Sequence, residues 1–152
     1  MKKITLFYAD DDVDDLMFFE EAVTSIREND QDSVELYLLK NGINLIDTIE
    51  KNKQKNSVVF LDLNMPLKSG FELLEEIRSK PEIHNTPIIM YSTSSDQKDI
   101  SLSQKLGANY YAVKPNNFKE LLDIVSNAIK FNWKNHSVDL NNFIFNKIPF
   151  NT

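Results

Sequence analysis

Five short apolar runs alternate along the chain with five stretches in which apolar residues recur every three or four positions. The runs cover residues 4–9, 34–39, 58–61, 88–91 and 110–113. Continuous apolar runs of this length read as strands buried on both faces, as in parallel sheets. The intervening stretches read as helices with one apolar face. Residues 14–28 carry Leu16, Phe19, Val23 and Ile26, and residues 42–53 carry Ile43, Leu45, Ile46 and Ile49. Residues 70–79 carry Phe71, Leu73, Leu74 and Ile77, and Pro81 stops that helix. Residues 96–106 are less apolar, with Ile100, Leu102 and Leu106, and Gly107 stands where a helix-ending glycine belongs. The last helix, 117 to about 133, carries Phe118, Leu121, Leu122, Val125 and Ile129. This alternation predicts an α/β fold of three layers, a doubly wound parallel sheet of five strands with five helices. In such folds functional groups gather at the carboxyl ends of the strands, near the switch in strand order.

Past residue 131 the pattern breaks down. Residues 132–152 are rich in Asn, with Phe143, Phe145 and Phe150 interspersed. The expected organisation is one domain over 1–131 and a C-terminal extension over 132–152, too short for a separate output domain. A length of 152 residues suits that reading, and 41% hydrophobic and 26% charged residues suit a soluble globular protein. The absence of cysteine excludes disulfides, zinc–thiolate sites and thiol catalysis. The opening apolar run is too short for a signal peptide, and no run of about 18 apolar residues offers a membrane span. A cytoplasmic location is expected. The net charge of −6 repels a phosphate backbone, so no nucleic-acid binding is expected. That charge favours metal ions or basic protein surfaces.

Four predicted strands end in polar groups. The first is followed by Asp10-Asp11-Asp12, the third by Asp62, the fourth by Ser92-Thr93 and the fifth by Lys114-Pro115. Packed carboxylates repel and need a counterion. Oxygen ligands suit Mg²⁺, which keeps several waters and takes one or two carboxylates directly. A carboxylate can attack phosphorus to give an aspartyl phosphate. A lysine can pair with phosphoryl oxygen, and a serine can donate to another.

These residues resemble the response-regulator receiver domain of two-component signalling: Asp10-Asp11, the segment Asp62-Leu63-Asn64-Met65-Pro66 with Gly70, Ser92, and Lys114-Pro115. The resemblance covers about residues 3–131, with every motif in the family's order. It implies a flavodoxin-like receiver fold and a signalling phosphoacceptor, one that promotes its own phosphorylation and dephosphorylation with Mg²⁺. Asp62 would accept phosphate from a histidine kinase or phosphotransfer partner. Asp10, Asp11, Asp62 and the Asn64 main-chain carbonyl would hold Mg²⁺. Lys114 would pair with the phosphoryl group, and Ser92 would follow it and couple to Tyr111 at the aromatic switch position. Ser92 stands where threonine is commoner, which implies a looser coupling. Asn64 and Ser94 align with positions that tune hydrolysis, and the bond before Pro115 is often cis in the family. The segments ADDDVDD and STSSD also resemble single-domain regulators that pair with bacteriophytochromes. Those often dimerise near the fifth strand through a C-terminal extension. The aromatic residues after 131 therefore have two readings: a homodimer contact, or a tail folded back on its own domain. A downstream protein target is expected to read the phosphorylated surface.

Simpler roles account for other residues. Asp12 is placed to cap the first helix, and Asp14 and Asp15 complement its dipole. His84 and His136 read as surface residues, and Ser95 as part of a polar loop. The competing function is a Mg²⁺-dependent aspartyl-phosphate phosphatase or phosphotransferase acting on a small molecule. Such enzymes commonly carry a second aspartate two residues after the nucleophile, where this chain has Asn64. A pseudo-receiver that only binds protein would not need the complete acidic set.

Overall fold

The computed structural model describes residues 3–29, 33–52, 56–134 and 141–150; His136 and part of the C-terminal extension lie outside them. Apolar side chains on both faces of the central strands bring five parallel strands into one sheet. These are β1 (Lys3–Ala9), β2 (Ser33–Leu39), β3 (Ser57–Leu61), β4 (Ile88–Ser92) and β5 (Tyr110–Val113), in the order β2-β1-β3-β4-β5. The helices are α1 (Val13–Asn29), α2 (Leu45–Asn52), α3 (Gly70–Ser79), α4 (Gln97–Lys105) and α5 (Phe118–Lys130). Side chains alternate across each strand. Tyr8 of β1 thus joins the core beneath α1 and α5, with Phe19, Ile124 and Val125. Phe7 and Ala9 join the opposite core, with Leu45 and Ile49 of α2 and Leu73 and Ile77 of α3. Chain order reverses between β1 and β3, and the crevice at their carboxyl ends is where such a sheet binds ligands.

β3 and β4 are buried throughout, as continuous apolar runs require, whereas β2 at the sheet edge is buried only at Val34. α4 is less embedded than its pattern suggests: Ser103 is its buried residue, Ile100 is half-buried and Leu102 exposed. The ends of the helices follow their caps. Asp12 Oδ1 accepts from the backbone of Asp14 and Asp15 and starts α1, as expected. Ser69 and Glu72 form a capping box on α3. α2 begins at Leu45 rather than 42, because the Asn41 side chain accepts from Ile43 N and holds a turn there. α5 ends at Lys130 rather than 133, because Phe131 is extended and packs edge-on to Tyr110. The Lys114–Pro115 bond is trans, where the resemblance points to cis; trans is the intrinsically favoured isomer.

Residues 143–148 lie along the outer edge of β5. Tyr111 N donates to Phe143 O at 3.0 Å, and Tyr111 forms a parallel bridge with Ile144. The Asn146 amide accepts from Val113 N and donates to Val113 O, both at 2.9 Å. A side-chain amide thus supplies the donor and acceptor that a sixth strand would offer. Phe143 is buried in the α2/α3 core and Phe145 in the α1/α5 core. The described part of the extension is therefore folded back on its own domain.

Candidate functional site

Backbone hydrogen bonds align the strand ends that carry the polar residues. Asp62 N donates to Ala9 O at 3.1 Å, and Lys114 N donates to Ser92 O at 2.8 Å. Asp62 follows β3 beside the end of β1, and Gly70 keeps its loop closed. Gly70 N donates to Leu63 O at 2.8 Å, and a Cβ at position 70 would fall 2.2 Å from the Asp62 carbonyl oxygen. Only glycine allows α3 to start this close to the Asp62 backbone. Leu67, in the same loop, takes a left-handed φ of 74° with its side chain in solvent.

Asp10, Asp11 and Asp62 converge, with one carboxylate oxygen from each lying within 4.8 Å of the others. Asp10 and Asp62 are buried and Asp11 is exposed. Lys114 reaches in from β5. Its Nζ lies 2.6 Å from Asp10 Oδ2, 2.8 Å from Asp15 Oδ2 and 3.3 Å from Asp62 Oδ1. Asp10 Oδ1 accepts from Asp12 N, and Asp10 Oδ2 accepts from the Tyr8 hydroxyl. Burial, reinforced by the Asp10 charge and only partly offset by Lys114, pushes Asp62 from the ordinary 3.8 up to about 6. Burial would depress Lys114, but hydrogen bonds to Asp10 and Asp15 outweigh it and hold the ammonium well above its ordinary value. Tyr8 is likewise pushed far up, by burial and then by Asp10, so it remains a donor.

Three carboxylates, those of Asp10, Asp15 and Asp62, thus share the Lys114 ammonium, and Asp11 adds a fourth beside Asp10 and Asp62. That excess of hard oxygen donors fits a divalent cation such as Mg²⁺ or Mn²⁺. Asn64 sits exposed two residues past Asp62.

Ser92 is buried at the end of β4, where its Oγ accepts from Ser94 N at 3.1 Å. Tyr111 is fully buried, and its hydroxyl donates to Ser94 O at 2.8 Å. The turn after Ser92 therefore connects directly to the Tyr111 ring. Ser94 Oγ donates to Asp99 of α4. His84 is exposed, as expected.

Two contacts have no counterpart in the sequence pattern. Asp15, whose position suggests only a dipole charge, is a direct partner of Lys114. Tyr8, in the middle of an apolar run, is a direct partner of Asp10. The one available sign was the oddity of a hydroxyl two residues before Asp10 on the same face of β1.

A doubly wound domain with carboxylates, a lysine and a hydroxyl at its switch point belongs to the phospho-receiver class. The family model described as response regulator receiver domain matches residues 10–126. The chain belongs to this family of two-component signalling domains. It is 28% identical over 134 residues to the response regulator Rcp1 of Synechocystis sp., covering 85% of this chain and 88% of that one. The Mn²⁺-bound form of Rcp1 superposes with a TM-score of 0.68 at 25% identity, over 89% of this chain and 98% of that one. The phosphorylated cyanobacterial phytochrome response regulator RcpA superposes with a TM-score of 0.69 at 29% identity, over 80% and 87%. Receiver domains bind Mg²⁺ or Mn²⁺ at an acidic pocket, and Asp10, Asp11 and Asp62 form an acidic cluster here. Among the described residues no helix is long and apolar enough to cross a membrane.

Proposed function

We propose that this response regulator accepts a phosphoryl group on Asp62 from the phosphohistidine of a histidine kinase or phosphotransfer protein, and signals by phosphorylation-dependent protein contact. The observation that carries the reading is the placement of Asp62: buried at the end of β3, ion-paired with Lys114, and within reach of Asp10 and Asp11. Residues 132–152 are taken as an extension of the receiver domain, because residues 143–148 pack against β5.

Above a pH of about 6 the Asp62 carboxylate is ionised and can act as nucleophile. One of its oxygens bonds to phosphorus while the phosphorus–nitrogen bond of the donor breaks, and the imidazole nitrogen keeps the electron pair. Asp10, Asp11, Asp62 and the Asn64 main-chain carbonyl would hold Mg²⁺, which when bound spreads the charge developing on the phosphoryl oxygens. Lys114 exchanges its contacts with Asp10 and Asp15 for a phosphoryl oxygen. The Ser92 hydroxyl, which accepts from Ser94 N, donates to another. Ser94 N is bonded to Ser92 Oγ and Ser94 O accepts from the Tyr111 hydroxyl, so a shift of the Ser92 side chain toward the phosphoryl group pulls on the turn that holds Tyr111. Phosphorylation is thereby read at the face formed by α4, β5 and α5, where residues 143–148 lie along the β5 edge, and a downstream protein reads that face.

Incubation with acetyl phosphate and Mg²⁺ followed by intact mass tests the central step. One added phosphoryl group is expected in the wild type and none in Asp62→Asn. Wild type that gains no mass, or an Asp62→Asn variant that gains the same mass, refutes it.

A further inference from the structure

Strand alternation puts residue 8 of β1 and residue 10, just past its end, on one face, so a side chain at position 8 lies directly beneath the Asp10 carboxylate. The Tyr8 side chain is fully buried. Its ring is held against Phe19, with centroids 4.5 Å apart, and edge-on to Tyr91 at 5.5 Å. The hydroxyl donates to Asp10 Oδ2, the oxygen that also takes Lys114 Nζ at 2.6 Å. Asp12 N donates to the other oxygen, Oδ1, at 2.9 Å. A carboxylate offers about four lone-pair sites. The two on Oδ2 are thus both engaged, and the remaining one lies on Oδ1. The Asp10 side chain is 1% exposed, so water cannot replace a donor that leaves.

We infer that Tyr8 is a positioning residue for the cation site: its hydroxyl fixes the Asp10 carboxylate so that Oδ1 faces a divalent ion or its bound water. It also keeps Oδ2 satisfied when Lys114 leaves for a phosphoryl oxygen. Donors behind a ligating group commonly change metal affinity by about 10–100-fold when removed. The inference rests on the reading of Asp10, Asp11 and Asp62 as a cation site. The alternative is that a buried tyrosine hydroxyl has simply found its nearest acceptor, with consequences for stability alone.

The two are separated by Mg²⁺ dissociation constants, measured by calorimetry on the full chain. The proteins are the wild type, Tyr8→Phe, Asp10→Asn and the double variant, with unfolding midpoints in EDTA taken alongside. Tyr8→Phe keeps the ring and its packing. It is expected to raise the dissociation constant about tenfold or more in the wild-type background, and by less than twofold when Asp10 is already Asn. A Tyr8→Phe constant within twofold of wild type overturns the inference while leaving the cation site standing. So does an equal loss in both backgrounds. If the wild type binds no Mg²⁺, the cation reading falls and this inference with it.

Discussion

Asp62 is held in a place that suits its chemistry and strains the fold. Its carboxyl sits at about 6 in the folded protein against an ordinary 3.8, first because it is buried and then because Asp10 is near. A carboxyl raised on folding stabilises the native state below its unfolded value, and that contribution is lost as the pH rises through the folded value. At neutral pH the ionised Asp62 is therefore a cost, by this displacement about 3 kcal/mol at most. Asp62→Asn removes the charge and keeps the shape. In EDTA at pH 7.5 it is expected to unfold at higher urea than wild type, by about 1–3 kcal/mol. The advantage should fade between pH 6 and 4; a variant no more stable than wild type at pH 7.5 contradicts the account. Added Mg²⁺ should raise wild-type stability more than that of the variant, since a ligand that binds only the native state stabilises it. Asp10, Asp62, Ser92 and Lys114 were legible in the sequence because each directly follows an apolar run, and Asp11 because it adjoins Asp10. Asp15 and Tyr8 were not. The partner of Asp15 lies 99 positions away, and no local spacing encodes such a pair. Tyr8 is masked by the strand pattern that its ring satisfies.

At the scale of elements, the loop between β3 and α3 and the far end of α3 fix how the site-bearing strands sit. Gly70→Ala would drive a Cβ into the Asp62 carbonyl, a backbone atom that cannot rotate aside. A loss of about 2 kcal/mol or more in urea unfolding is expected, together with weaker Mg²⁺ binding, because the loop carries Asp62 and Asn64. Unchanged values for both would show that the loop tolerates a wider path. At the other end of α3, Arg78 donates to the carbonyls of His84, Thr86 and Gly107 and to the Asn109 side chain. It ties α3 to the segments that lead into β4 and β5. Desolvation lowers its pKa to about 10, still well above neutral, so the charge persists. Arg78→Ala leaves the part-buried carbonyls of Thr86 and Gly107 without this donor and is expected to cost about 3 kcal/mol or more. A loss under 1 kcal/mol would mean that water replaces it. The helices and strands themselves were legible from apolar spacing, because burial drives that spacing. The ends of α2 and α5 were not, because Asn41 and Phe131 act through a side-chain turn and a ring contact that periodicity ignores. Arg78 gave no sign at all: an arginine near the end of a helix is ordinary.

For the whole molecule, the issue is what covers the outer edge of β5, since an exposed strand edge invites pairing with another chain. Tyr111 N and both backbone groups of Val113 would be open there, and the extension satisfies all three through Phe143 O and the Asn146 amide. The sequence marked the aromatic residues after 131 as unsuited to solvent. It could not choose between folding back and dimerising, because contacts 33 positions apart leave no local trace. Phe145 anchors the covering segment, 1% exposed against Tyr110 and Trp133. Phe145→Ala is expected to cost about 3–5 kcal/mol and to loosen the segment. Deleting residues 136–152 should go further and leave the β5 edge bare. Light scattering is then expected to show a monomeric wild type and a truncated protein whose mass rises with concentration. A dimeric wild type that becomes monomeric on truncation would mean that the extension joins two copies. In the folded-back arrangement the backbone of Tyr111, the proposed switch residue, is bonded to the extension, while its hydroxyl is bonded to the turn after Ser92. Any movement of Tyr111 on phosphorylation must therefore work against, or release, residues 143–146. Beryllofluoride with Mg²⁺ should shift the backbone NMR signals of Phe143, Ile144 and Asn146 along with that of Tyr111. Shifts confined to the strand ends would show that the extension does not sense the site.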